Sequence, residues 1–502
     1  MSIPLTAIED IIDASGAAPQ IQALLPASVR GRQLTARTLL IGMQITLADG
    51  RPAQLTRVHA TLTALPEADQ LRLGVLAQWK TGPHQLTYRQ VEHTFGLVAK
   101  ALGKDEPDGA PPAGLQAACD TLLEASIPGQ YKDPRSSQAS ASLAADWTDV
   151  ETWSRPPRHG TSQGADPEAS WGHRTSNLPG PRGEMFFGYY LSAVTMVAEE
   201  NGPAVPELAR RMTLCSCALD PARALAPVLT AMPAAGIPLG DIIDDSGYAH
   251  RNAAAWAIPL RQAGAQLVQD LHPHDRGPQG THEGAIIANG NLYCPATPKP
   301  LLELGPLPPR ASSDHTTAHN TQATELARHK LGRHTADDAD GYHRLTCPAA
   351  AGKLRCPLRP QSMTLDRSHP EILSPPAHPP ACCTQQTITV GPQIAAKTRQ
   401  KHDYPSPAWR RSYARRTSSE RTFSTIKDPA TTSIARGWCR MTGLTPLALW
   451  LACLLTVRNQ RILTAWDARQ ADAARRAAAG LPPRTRKRRR RSTLASLTTG
   501  PP

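Results

Sequence analysis

The stretch from Ser406 to Pro429 carries the densest chemistry in the chain. Tyr413, Arg416, Glu420 and Lys427 follow one another at offsets of three, four and seven residues. Those offsets put all four side chains on one face of a helix. Ser406 suits the N-cap and Pro407 the first helical position, while Pro429 disfavours helix at Asp428. A phenol, a carboxylate and two cations on one face suit a metal-plus-phosphate site. The acid would hold a divalent cation and the basic groups would hold phosphate oxygens. Taken alone, the same residues equally fit a solvated helix with an i,i+4 Arg–Glu pair.

Two more acids lie where a sheet would present them. Asp146 is near the middle of the strand-like run Leu143-Ala-Ala-Asp-Trp-Thr148, and Asp245 ends a strand at 239–244, within Asp244-Asp-Ser-Gly-Tyr248. Open α/β sheets build their sites at the carboxyl ends of strands. Carboxylates converging there bind Mg²⁺ and leave positions open for water and a substrate phosphate. Each Asp by itself reads more simply as a turn or capping residue. Asp149 and Asp244 are rival ligands. Asp149 is out of phase with Asp146 along the strand and should point to the other face. Asp244 would replace Asp245 if the strand boundary shifted by one.

The elements that must position these residues follow from periodicity. Residues 1 to about 100 read as helical, with apolar spacing in Ile21–Leu25, Leu34–Leu47 and Leu71–Trp79, and with Thr87 and Gln90 set as a capping box. A hydrophilic linker spans 103–114. Beyond it, strand-like and helical segments alternate: Ala141–Val150; Met185–Val197, as two strands or a long hairpin; Asp220–Ala235, helical; 239–244; Arg251–Gly264, helical; and Gln266–Leu271. This alternation predicts an α/β layer. Residues 272–405, rich in His, Pro, Gly and Thr, read as an insertion of loops and β structure. Helix resumes over 407–480. The tail Arg484–Arg491 has seven basic residues in eight, suited to non-specific phosphate binding or to simple solubility.

With these residues in place, the chain resembles bacterial insertion-sequence transposases of the DDE type. The resemblance rests on Asp-x-Thr at 146–148, Asp-Ser-Gly-Tyr at 245–248, and the Tyr-x2-Arg-x3-Glu-x6-Lys signature of one large subgroup at Tyr413, Arg416, Glu420 and Lys427. It implies an α/β fold: a ribonuclease-H-like core with an inserted β-rich domain and helical N- and C-terminal flanks. The core would span 140–271 and 406–480, with the insertion at 272–405. The region 1–130 would be a helical DNA-binding region and 481–502 a basic disordered tail. Asp146, Asp245 and Glu420 would hold two Mg²⁺ or Mn²⁺ ions for DNA strand cleavage and transfer. Tyr413, Arg416 and Lys427 would bind DNA phosphates. The implied partners are double-stranded DNA, both the terminal inverted repeats of a transposable element and the target, in a synaptic dimer. The implied location is the cytoplasm, at the nucleoid. Ser246 stands where the family often has Arg, which touches a DNA contact and not metal binding. Two other readings share these residues: a catalytically inactive or domesticated DNA-binding relative, and a DDE-like nuclease without strand transfer.

Composition bounds the rest. The 502 residues carry 55 Lys+Arg against 42 Asp+Glu, a formal +13, which favours a polyanionic partner without naming it. No apolar run reaches the ~18 residues of a membrane span. Leu444–Val457 is too short, contains Pro446 and reads as a buried helix. The N-terminal stretch, with two acids and no basic region, does not read as a signal peptide. Ten cysteines are too few for a disulfide scaffold. Cys347, Cys356, Cys382 and Cys383, with Cys294 and His343 nearby, either hold a structural Zn²⁺ or are free thiols in a loop-rich segment. Cys215 and Cys217 read as idle thiols. His272-Pro-His-Asp-Arg276, with His282 and Glu283, reads as a polar loop with no ligand spacing. Trp147, Trp171 and Trp409 can stack on an unpaired base but more simply pack.

Overall fold

The computed structural model describes residues 3–484 apart from 28–33, 80–81, 104–109, 134, 158–163, 175–183 and 309. The tail from 485 onward, and half of the linker expected at 103–114, therefore lie outside the described residues. The chain is mixed α/β around one mixed sheet. Its main strands are β1 (Leu143–Glu151), β2 (Met185–Met196), β3 (Ala209–Ser216), β4 (Asp241–Asp244) and β5 (Gln266–Gln269). The spatial order is β3-β2-β1-β4-β5. β2 runs antiparallel to β1 and β3, whereas β4 runs parallel to β1 and β5 parallel to β4. A short strand, Ser170–His173, pairs with the first residues of β2.

β2 is a single twelve-residue strand and not the hairpin considered from its sequence. Its aromatic and β-branched residues suit a pleated surface. Gly188, the one turn-forming residue inside it, serves close approach instead: a Cβ there would lie 2.1 Å from the Val150 carbonyl oxygen on β1. β3 escaped the sequence reading because Arg210 and Arg211 sit in its middle. Both are buried, and both donate to Glu124 on the helix Ala113–Ala125, at 3.1 and 2.8 Å. One carboxylate thus satisfies two cations that a strand would otherwise exclude.

Helices cover both faces. Pro221–Thr230 and Ala257–Gln262 pack with Leu143, Ala145 and Val194 on one face. Pro407–Tyr413 and Thr417–Ile426 cover the other, where Thr195 and Thr422 share a 2.9 Å hydroxyl contact. The helix expected over Arg251–Gly264 is confined to Ala257–Gln262, because Asn252 caps a turn at Ala254 instead.

The N-terminal region is helical and is not a free-standing unit. Its helices share one core with β2, β3 and the helix Leu444–Ala478. Leu444–Val457 is a buried helix as expected, and the helix continues to Ala478 with a mostly exposed second half. Among the described residues, no helix is long and apolar enough to cross a membrane. The capping box at Thr87 and Gln90 forms. Leu71–Trp79, expected to be helical, instead ends a helix at Arg72 and enters a hairpin, Leu76–Trp79 against Gly82–Gln85. Gly74, at φ +70°, makes the break.

The insertion holds two three-stranded antiparallel sheets, 278–293 and 332–390. It also holds a 17-residue helix, Ser313–His329. That helix shows no apolar stripe in sequence, since only Ala323 and Leu326 among its apolar residues are buried.

Candidate active site

Asp146 lies on β1, in register with Ala193 of β2. It shares its sheet face with Ala144, which packs under Trp409 and Tyr413. Its Oδ1 accepts from the Trp147 backbone N–H at 2.9 Å, leaving Oδ2 for other partners. Asp245 follows the last residue of β4 and caps the short helix Ser246–Ala249, its Oδ1 accepting from Gly247 N–H at 2.9 Å. A Cβ on Gly247 would meet the Trp147 ring at 2.3 Å and the Asp245 carboxylate at 3.0 Å, so only glycine fits the motif there. The capping role expected of a lone Asp is thus real, yet it uses one oxygen and frees the other.

The third acid arrives on a helix that is not continuous. Ser406 caps it, accepting from Trp409 N–H at 3.1 Å, and Pro407 opens it. A 3₁₀ turn at Ala414–Arg416 then separates Pro407–Tyr413 from Thr417–Ile426. The single helix expected from Ser406 to Pro429 is corrected accordingly: Ala414, Arg415 and Arg416 tighten into a 3₁₀ turn where the segment crosses β1 and β4.

The guanidinium of Arg416 joins all three acids. Its Nη2 donates to Asp146 Oδ2 at 3.3 Å and to Asp245 Oδ2 at 3.1 Å, and its Nη1 donates to Glu420 Oε1 at 2.6 Å. Its Nε is buried without a partner. Burial pushes the Asp146 carboxyl up to about 6; Arg416 works against that, while Asp245 and Glu420 add to it as like charges. Burial works against the charge on Arg416, yet Tyr413 and the three acids hold its pKa above the ordinary value.

The other signature residues stand apart from this cluster. Tyr413 stacks on Trp409 with ring centroids 5.0 Å apart, and burial raises its phenol. Lys427 caps the C-terminus of its helix and donates to Asp149 Oδ1 at 3.1 Å, not to the three acids. Asp149 points away from them, as its phase requires, and also accepts from Arg174 Nε at 3.1 Å. Burial opposes the ionised form of Asp149, but Lys427 and Arg174 hold its pKa below the usual carboxylate range. Arg174 had no signal in the sequence, lying in a polar loop. Asp244 faces the interior, accepting from Trp256 Nε1 at 2.9 Å and Gln269 Nε2 at 3.2 Å, and burial raises it well above a normal Asp. It is not a ligand candidate. Trp147 packs edge-on to Tyr248 and Trp409 donates to the Gln269 carbonyl at 2.9 Å, so both are packing residues, whereas Trp171 is exposed.

Of the four cysteines expected as a zinc set, three line one cavity and the fourth lies beside it. Cys347, Cys356 and Cys383 line a small cavity with Cys294, while Cys382 packs with Leu292, Leu331 and Leu345. Cys382 and Cys383 adjoin on the short helix Ala381–Thr384, with their side chains within hydrogen-bonding reach of each other. All ten cysteines are free. Among the described residues, the one group of three metal-ligating side chains with ligand atoms within 4.8 Å of one another is His250, His272 and Asp275. The chain can therefore hold a metal ion there, in the loop read from sequence as unpatterned. His250 lies on a different segment, so spacing within 272–276 could not reveal the group.

Compared with protein-family models, with curated proteins and with solved structures, the chain matches none.

Proposed function

We propose that the chain is a metal-dependent DNA strand-transfer enzyme of the DDE transposase kind, built on a ribonuclease-H-like core. The observation that carries this reading is the convergence of Asp146, Asp245 and Glu420, from three separate elements, on one guanidinium. The sheet supports it: three antiparallel strands and then two parallel ones, in the order β3-β2-β1-β4-β5, is the arrangement such a core requires.

The donor set fits Mg²⁺ or Mn²⁺. All three side chains offer hard oxygens, and a cationic group already draws them together. Burial raises the Asp146 carboxyl, and the neighbouring Asp245 and Glu420 add to the rise, so a bound cation would favour its ionised form. Cations held by Asp146, Asp245 and Glu420 would activate the attacking oxygen and relieve charge on the departing one.

The chain's own residues supply placement. Asp146 is fixed by the central strand and Asp245 by its cap, so neither carboxylate must be ordered when substrate arrives. Arg416 keeps the acids together. Lys427, on the exposed rim, provides a second phosphate contact once it leaves Asp149. The same acids would cut at an element end and then join that end to target DNA. Incubating the protein with Mg²⁺ and DNA bearing the native flanking ends tests this reading. Cleaved and joined strands are the expected products. Cleavage without joining points to a nuclease, and binding without cleavage to a non-catalytic DNA-binding protein.

A further inference from the structure

His250 ends the short helix that Asp245 caps; His272 and Asp275 lie at the start of the insertion, just after β5; Lys397 lies near the insertion's end. These three distant segments meet at its base. His250 Nδ1 is 2.9 Å from Asp275 Oδ2, and the rings of His250 and His272 are tilted against each other at 4.0 Å. The Lys397 ammonium sits between them, donating to Asp275 Oδ1 at 2.7 Å and lying 3.3 Å from the same His250 Nδ1.

That nitrogen faces incompatible neighbours. If Nδ1 carries a hydrogen for Asp275, it turns an N–H toward an ammonium. If it accepts from Lys397, it turns a lone pair toward a carboxylate. A cation bound by both the imidazole and the carboxylate removes the conflict, and the ammonium already holds positive charge at that point.

We propose that His250, His272 and Asp275 form a binding site for a zinc-like divalent cation, with Lys397 as the displaceable charge that holds its place. Two imidazoles and one carboxylate suit Zn²⁺ or Co²⁺ and not Mg²⁺, which favours oxygen-only sets. Exposed His274, its ring 4.8 Å from that of His272, is placed to join as a further ligand. The site shares no residue with Asp146, Asp245 and Glu420. Its effect would be to tie the start of the insertion to the short helix that Asp245 caps.

The test is Co²⁺ titration of the metal-stripped full chain, followed by absorption spectroscopy and calorimetry. Wild type should bind one Co²⁺ that His272→Ala loses, with weak d–d bands and no thiolate charge-transfer band. The last feature separates this site from the cavity lined by Cys294, Cys347, Cys356 and Cys383. An ion count and affinity unchanged in His272→Ala would overturn the proposal. If His272→Ala does not fold, Lys397→Met decides: about tenfold tighter Co²⁺ binding supports the site, and unchanged or weaker binding overturns it.

Discussion

Asp146 and Asp245 share a single nitrogen of Arg416, at 3.3 and 3.1 Å, although one sits inside a strand and the other caps a helix. With Glu420 on the same guanidinium, three carboxylates are gathered by one side chain. Arg416 is thereby both the neighbour of any metal at this site and its competitor.

Removing Arg416 should show this competition. Arg416→Ala leaves the three acids without their shared cation, and should lower stability by roughly 2–4 kcal/mol without added metal. Mg²⁺ should then raise the thermal midpoint more in the variant than in wild type. Thermal unfolding with and without Mg²⁺ measures both effects. A variant indifferent to Mg²⁺ would argue that the acids do not form a metal site.

Lys427→Ala should weaken DNA binding and leave folding nearly unchanged, because its side chain is 42 % exposed. Loss of one phosphate contact should reduce the salt dependence of log K by about one. Binding isotherms at several salt concentrations give that slope. An unchanged slope would remove Lys427 from the DNA contacts.

The Arg210–Glu124–Arg211 group is a stability element and not a catalytic one. Glu124→Ala strands two buried guanidinium groups and should cost about 3–5 kcal/mol. Urea unfolding at constant m-value would measure it. A cost below about 1 kcal/mol would mean that solvent replaces the carboxylate.

Asp120, beside this group, gives the chain a pH dependence. Burial pushes its carboxyl up to about 6 from 3.8, despite Arg211 and a 2.9 Å hydrogen bond from Gln116. The folded chain therefore keeps a proton that the unfolded chain has already released. Its contribution to stability is lost as pH rises from about 4 to about 6. Asp120→Asn should stabilise the protein by on the order of 2–3 kcal/mol at pH 7 and have little effect below pH 4. Unfolding across pH 3.5–7.5 tests the sign. A variant less stable than wild type at pH 7 contradicts it.

What could be read from the sequence was local. The Ser406 cap, the Thr87 box and the spacing of Arg416 to Glu420 are set by near neighbours, and all appear in the structure. Asp146 and Asp245 could be nominated because strand ends are marked by apolar runs. Their shared partner could not, since Arg416 reaches them only through the sheet's parallel pairing. β3 was hidden by arginines whose compensation lies on a distant helix. Lys427 was read with the acids by helical offset, but the 3₁₀ turn and the strand edge deliver it to Asp149. Cys347, Cys356 and Cys383 line one cavity whose fourth thiol is Cys294, a neighbour that only the folded insertion brings to them. The His250 group was missed because its members come from two segments.

The account's central claim is that Glu420 completes the acid set that cuts DNA. It is tested most directly by comparing wild type with Glu420→Gln for Mg²⁺-dependent cleavage of end DNA, with binding measured in parallel. The account predicts that the variant binds DNA within about twofold of wild type while cleavage falls by about a thousandfold or more. Cleavage by Glu420→Gln at the wild-type rate, or no cleavage by the wild type, would contradict it.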